Sequence, residues 1–224
     1  MDNMITFKEH TQLNEGVNDP AIFKAVFLAG GPGSGKSFVV GKAALQPMGF
    51  KLINSDPAFE AALKKSGLTT SPEDISSPEG QDARAKAKAL TKIQMQLALA
   101  GRLGLVIDGT GKDLGKIMKQ AVALRKIGYD VSMIFVNTDL ETAQSRNKAR
   151  PRTVPSALVS KMWNEVQKNI GGFQTFFGNN FHVIDNSEGS DFTSQIARTY
   201  KSIMVWSKKT PKNSAVSKWV KSQK

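Results

Sequence analysis

The chain contains no cysteine, which rules out disulfides, thiolate metal sites and thiol nucleophiles. Histidine is nearly absent as well. His10 and His182 are the only two, too few for a histidine-built metal centre. Long apolar runs are also missing, and no window approaches the roughly 18 apolar residues of a membrane span. The opening stretch, MDNMITFKEHTQLNEG, carries acids and polar groups where a secretory leader needs an apolar run. A cytoplasmic location without a membrane partner is therefore expected. What remains is ordinary for a folded protein: 224 residues, 40% of them hydrophobic, suit one α/β domain with a sizeable core.

Acids are scarce relative to bases, and the formal net charge is +12. Ser207–Lys224, SKKTPKNSAVSKWVKSQK, holds six lysines and no acid, which leaves about +6 on the rest. Such a tail fits nucleic acid or another polyanion. The same composition also fits a solvated, disordered terminus.

Short apolar runs alternate with helical stretches. KAVFLAG at 24–30 reads as a buried strand closed by glycine. The runs at 50–54, 103–108, 131–136 and 181–185 read the same way, and none shows strict polar alternation, as expected of parallel strands covered on both faces. Helices are expected over 36–45, 57–66, 82–101, 113–127, 139–149, 155–170 and 190–206. That order argues for a parallel sheet with right-handed crossovers. Residues 67–80, GLTTSPEDISSPEG, read as a polar loop interrupted by two prolines. The expected organisation is a loosely attached arm at 1–20, a domain at 21–206 and a basic tail at 207–224.

The densest chemical signal is GGPGSGKS, Gly30–Ser37, directly after the first strand. Gly30, four residues, then Gly35-Lys36-Ser37 fulfils the phosphate-loop pattern. Glycines let backbone N–H groups turn inward to meet phosphate oxygens, and the following helix adds its positive end. Gly30, Gly31, Pro32, Gly33, Ser34, Gly35, Lys36, Ser37 and Phe38 are thus the candidate nucleotide cradle. Lys36 is placed to reach the outer phosphates and Ser37 to ligate Mg²⁺.

A phosphate loop specifies ATP or GTP and leaves the reaction open. In open parallel sheets the remaining strand ends decide it. The second strand ends INSD, and Asp56 is a candidate base for an attacking hydroxyl, although Asp-Pro is also ordinary helix capping. The third ends VIDGTG, where Asp108 is a candidate Mg²⁺ ligand, or simply part of a strand-to-helix turn. After the fourth strand, TDLETAQSRNKARPRTVP places Arg146 and Arg150 four apart on a helix that Thr138 is placed to cap. They suit a clamp on a moving phosphoryl group, or a solvated basic face. Asn186, after the fifth strand, is a candidate border of the nucleotide base.

Taken in order, GGPGSGKS, GFKLINSD, VIDGTG, SRNKARPRTVP and VIDNS resemble the P-loop kinases grouped around zeta toxins and phage polynucleotide kinase, over roughly Ala25–Ser187. The resemblance implies a P-loop NTPase of nucleoside-kinase type, a three-layer α/β sandwich around a five-stranded parallel sheet. It also implies Mg-ATP-dependent phosphorylation of a hydroxyl. Lys36 and Ser37 match the phosphate-loop pair, Asp56 the general base, Arg146 and Arg150 the lid arginines, and Asp108 the acidic end of the third strand. One position departs. Many relatives carry an arginine near the acceptor three residues after that aspartate, where this chain has Phe59. Separately, MITFKEHTQLNEG resembles the leaders that direct internal proteins into tailed-phage proheads, with a cleavage pattern at Leu13-Asn14-Glu15.

Two functions follow as expectations. The first is a kinase whose acceptor is a polynucleotide 5′-hydroxyl, a nucleotide-sugar of the zeta-toxin type or a small metabolite. The second is a nucleotide-dependent ATPase or switch that holds nucleic acid or a phage head component through the tail.

Overall fold

The computed structural model describes residues 19–42, 45–149 and 153–223. Five strands form one wholly parallel sheet: β1 (Lys24–Ala29), β2 (Phe50–Ile53), β3 (Gly104–Asp108), β4 (Asp130–Asn137) and β5 (Phe181–Asp185). Their spatial order is β2-β3-β1-β4-β5, with β1 at the centre. In β1, Ala25, Phe27 and Ala29 pack into one apolar layer, and Val26 and Leu28 into the other. Both faces are therefore covered, which is why the strand is apolar from Ala25 to Ala29. The expected fold class is the observed one.

Ten α-helices are described: α1 (Lys36–Lys42), α2 (Asp56–Lys65), α3 (Pro72–Ser76), α4 (Pro78–Ala100), α5 (Leu114–Lys126), α6 (Leu140–Lys148), α7 (Ser156–Lys168), α8 (Ile170–Phe177), α9 (Phe192–Ser207) and α10 (Ser214–Ser222). One layer on the sheet receives Leu124 of α5, Val166 of α7 and Phe173 of α8. The opposite layer receives Val39 of α1 and Ile196 and Ile203 of α9.

Two stretches differ from their reading in the sequence. Residues 67–80 are not a plain loop, because they hold α3 and the first turn of α4. The prolines there start helices: Ser71 and Ser77 accept hydrogen bonds from the Asp74 and Gly80 amides, and Pro72 and Pro78 occupy first-turn positions. Nor are residues 214–222 disordered. Val216 is buried, and Trp219 stands edge-on to Phe23 with ring centroids 5.4 Å apart. The apolar contact of α10 is made at the N-terminal end of β1, where Phe23 also meets Tyr129. At the same end Lys24 is fully buried, its Nζ 2.7 Å from Asp130 Oδ2 and 4.7 Å from the Trp206 ring. Burial pulls its pKa down and the Asp130 carboxylate opposes the shift.

Between β2 and β3, helices α2 to α4 enclose a small core of their own, built on Phe59, Leu63, Ala83 and Ala87. Among the described residues no helix is long and apolar enough to cross a membrane. The expected N-terminal arm lies outside the described residues except for Asp19 and Pro20.

Candidate functional site

β1 ends at the centre of the sheet, and Gly30–Ser37 turns there into α1. The loop closes on itself through Lys36, whose Nζ donates to the carbonyls of Gly30 at 2.6 Å and Gly31 at 3.3 Å. Gly33, at φ +76°, lies so close to α6 that a Cβ would meet the Ala143 carbonyl oxygen at 2.5 Å. Gly35, at φ +88°, is packed as tightly on the amide of Asn186. A side chain at either position would strain the backbone and push the loop off its neighbours. Neighbouring strand ends brace the same turn: the Gly30 amide donates to the Thr110 carbonyl at 3.2 Å and the Gly109 amide to the Leu28 carbonyl at 2.9 Å.

The carboxylates sit on the β2 and β3 side. Asn54 connects them. Its Nδ2 donates to Asp108 Oδ2 at 2.9 Å, and its Oδ1 accepts the Asp56 amide at 2.8 Å. Capping of α2 therefore does not draw on the Asp56 side chain, which is exposed in the first turn. Asp108 differs: its Oδ1 is buried and has no hydrogen-bond partner among the described residues. Burial raises the Asp108 pKa, the Lys36 charge lowers it, and the Asp56 charge raises it again. Lys36, Asp56 and Asp108 thus share one electrostatic neighbourhood.

On the β4 and β5 side, Asn186 Nδ2 donates to the Ser34 carbonyl at 2.8 Å. Arg146 reaches Asn186 Oδ1 and the Gly33 carbonyl, both at 3.4 Å. Asn186 and Arg146 are therefore attached to the phosphate loop itself. The cap of α6 is Asp139, whose carboxylate accepts the Thr142 amide at 2.7 Å, and not Thr138. Ser37 and Phe38 are exposed at the start of α1, and the Phe38 ring stacks on Phe192 at 5.7 Å. Arg150 lies outside the described residues.

Three features were not read from the sequence. Asn147 grips Val154, donating to its carbonyl at 2.7 Å and accepting from its amide at 3.0 Å, so both ends of the arginine segment are held together. Asn169 holds the turn after β3 through the carbonyls of Gly111 and Lys112, each at 2.9 Å. Arg84 lies over Phe59, with its Cζ 4.5 Å from the ring centroid. Phe59 itself is buried, three residues after Asp56 on the same helix. No motif links either asparagine or Arg84 to the site; contact across the fold alone reveals them.

The donor set can be tested against a divalent cation. A buried, unpartnered carboxylate oxygen beside an ammonium-lined phosphate loop, with a serine hydroxyl at the helix start, offers hard oxygen ligands. Among the described residues no cluster of three or more acidic, histidine or cysteine side chains forms a protein-only metal cage. Mg²⁺ binds through one or two protein oxygens plus phosphates. Asp108 and Ser37 are the residues that fit it.

The profile of the AAA domain family matches residues 26–172, more than half of the chain. No curated protein matches the sequence. Solved structures match in fold at low identity. A structure of the PezAT chromosomal toxin-antitoxin system of Streptococcus pneumoniae superposes with a TM-score of 0.57 at 15% identity, over 90% of this chain and 91% of that one. A putative kinase from Chloroflexus aurantiacus gives 0.53 at 13% identity, over 80% and 97%. A chain of the Pnkp1/Rnl/Hen1 RNA repair complex gives 0.51 at 18% identity, over 67% of this chain but 46% of that one, so this protein spans about half of that relative's length.

Proposed function

The chain belongs to the AAA domain family, and from that premise we propose that it is a P-loop phosphotransferase that moves the γ-phosphoryl group of ATP to a hydroxyl. Asp56 carries the reading. It is a carboxylate at the edge of the phosphate-loop neighbourhood whose side chain has no capping role, since Asn54 meets the Asp56 amide instead. A group so placed is suited to accept a proton.

In the proposed reaction the acceptor oxygen bonds to the γ-phosphorus as the bond to the β–γ bridging oxygen breaks. The hydroxyl proton passes to Asp56, and ADP leaves. Lys36 exchanges the loop carbonyls for phosphate oxygens. Arg146, held against the loop, neutralises charge as it spreads over the transferring group, and Arg150 is assigned the same work. Asn186 keeps the loop and Arg146 in register and is itself assigned to border the nucleotide base. Asp108 and Ser37 would hold Mg²⁺, which would supply positive charge to offset that of the nucleotide phosphates.

Within the family, the order of motifs supports the zeta-toxin and polynucleotide-kinase group. The acceptor is drawn from that group's range: a polynucleotide 5′-hydroxyl, a nucleotide-sugar or a small metabolite. Arg84 supplies a cation over Phe59, about one helical turn from Asp56, at the position where many of the group carry an arginine.

The test is transfer of labelled γ-phosphate, with Mg²⁺, to 5′-hydroxyl DNA and RNA, nucleosides and UDP-sugars. Label should appear on one acceptor and drop by about a thousandfold in Asp56→Asn, with ATP binding intact. Full activity in that variant would remove the assignment of the base. ATP hydrolysis without transfer to any acceptor would replace the kinase reading by that of an ATPase or switch.

A further inference from the structure

The last acid of the chain is Asp191; beyond it come Arg198 and seven lysines. Lys208, Lys209, Lys212, Lys218 and Lys221 are all exposed, on the segment after α9 and on α10. That segment is folded down. Asn213 caps α10 by accepting the Val216 amide at 3.0 Å, and its own amide donates to the Gly128 carbonyl at 3.1 Å. Val216, Trp219 and Val220 pack into the layer that holds Phe23 and Tyr129. Asp130, an acid at that end of the sheet, is already paired with Lys24.

The lysines are therefore displayed on a fixed surface rather than on a free tail. A groove of about 680 Å³ runs between the segment and the helix, with Lys212 and Lys221 among its lining residues beside Asn213 and Ser217. Phe23 and Gly128 mark the N-terminal ends of β1 and β4, whereas the phosphate loop follows the C-terminal end of β1. A six-residue strand separates the two by about 20 Å.

We propose that Lys208–Lys221 is a binding surface for the phosphodiester backbone of nucleic acid, separate from the phosphotransfer site. The charges run from Lys208 along the approach to α10 and on to Lys218 and Lys221 of the helix itself, which matches a run of phosphates better than a single one. An anionic membrane fits less well, because a helix that lies on lipid needs its apolar side outward. Here that side is packed against Phe23 and its neighbours.

The test is fluorescence anisotropy of a labelled DNA duplex titrated with the full chain over a range of salt. Lys212→Gln, Lys218→Gln and Lys221→Gln together should weaken binding at least about tenfold. They should also flatten the slope of log K against log salt by about 2 to 3. Nucleotide binding should stay unchanged, because none of the three belongs to the phosphate-loop site. The titration contains neither ATP nor Mg²⁺, which keeps this result independent of the proposed phosphotransfer. Equal affinity and slope in the triple variant would overturn the proposal. So would binding to vesicles containing phosphatidylserine with none to the duplex.

Discussion

Asp108 meets opposing demands. One oxygen is held by Asn54 and the other is buried without a partner, so the nucleotide-free protein keeps a carboxylate where burial disfavours its charge. A carboxyl whose pKa is raised on folding contributes stability at low pH and loses it as the pH rises through the folded value. Asp108→Asn removes that charge and still leaves an acceptor for Asn54. By thermal unfolding at pH 7 without nucleotide, the variant should melt a few degrees higher than the native chain, while phosphotransfer falls by at least about a hundredfold. A variant that melts lower and keeps its activity would show that Asp108 is an ordinary part of a strand-to-helix turn. Asp56 stands in contrast: it is exposed and is not used to cap its helix, so its replacement is expected to change rate rather than stability.

At the level of elements, the strands were legible because each is a short, mainly apolar run without strict polar alternation, ended by a polar or glycine residue. The order β2-β3-β1-β4-β5 was not, since nothing local in a sequence records which strands pair. Ser-Pro-Glu at 71–73 and again at 77–79 reads as a breaker, yet each serine caps a helix and each proline enters it. In α10 the apolar residues Val216, Trp219 and Val220 follow a helical spacing that the surrounding lysines conceal. Within the candidate site, the phosphate loop and both aspartates stood at legible strand ends. Asn147, Asn169 and Arg84 act across the fold and carry no pattern of their own. The ordering of α10 can be measured. Trp219→Ala removes the edge-on contact with Phe23 and should cost about 2–3 kcal/mol in denaturant unfolding. A loss below about 0.5 kcal/mol would mean the helix adds little to the core.

At the scale of the whole molecule, stability at mild acid depends on β5. His182 is partly buried there, and burial moves its pKa below the ordinary value of 6.5. The unfolded chain therefore takes up a proton near pH 6.5 that the folded chain refuses until the pH is lower. The stability that follows is intact above pH 6.5 and is lost as the pH falls through that value towards the folded one. The melting temperature should drop by a few degrees between pH 7.5 and pH 5.5, and His182→Gln should make that drop shallower. An identical slope in the variant would assign the acid sensitivity to other groups. The molecule is also polar in its chemistry. The C-terminal ends of the strands carry the phosphate loop and the carboxylates, and the opposite end carries the lysines of α10.

The small core enclosed by α2, α3 and α4 has a bearing on descent. Phe59, Leu63, Ala83 and Ala87 cohere without help from either main layer, and Asp56 begins the first of these helices. Changes among the neighbours of Phe59 and Arg84 can accumulate with little disturbance to the sheet that carries the phosphate loop. Under the proposed phosphotransfer, substitutions in this one group of helices would exchange one acceptor for another and leave the phosphate loop in place.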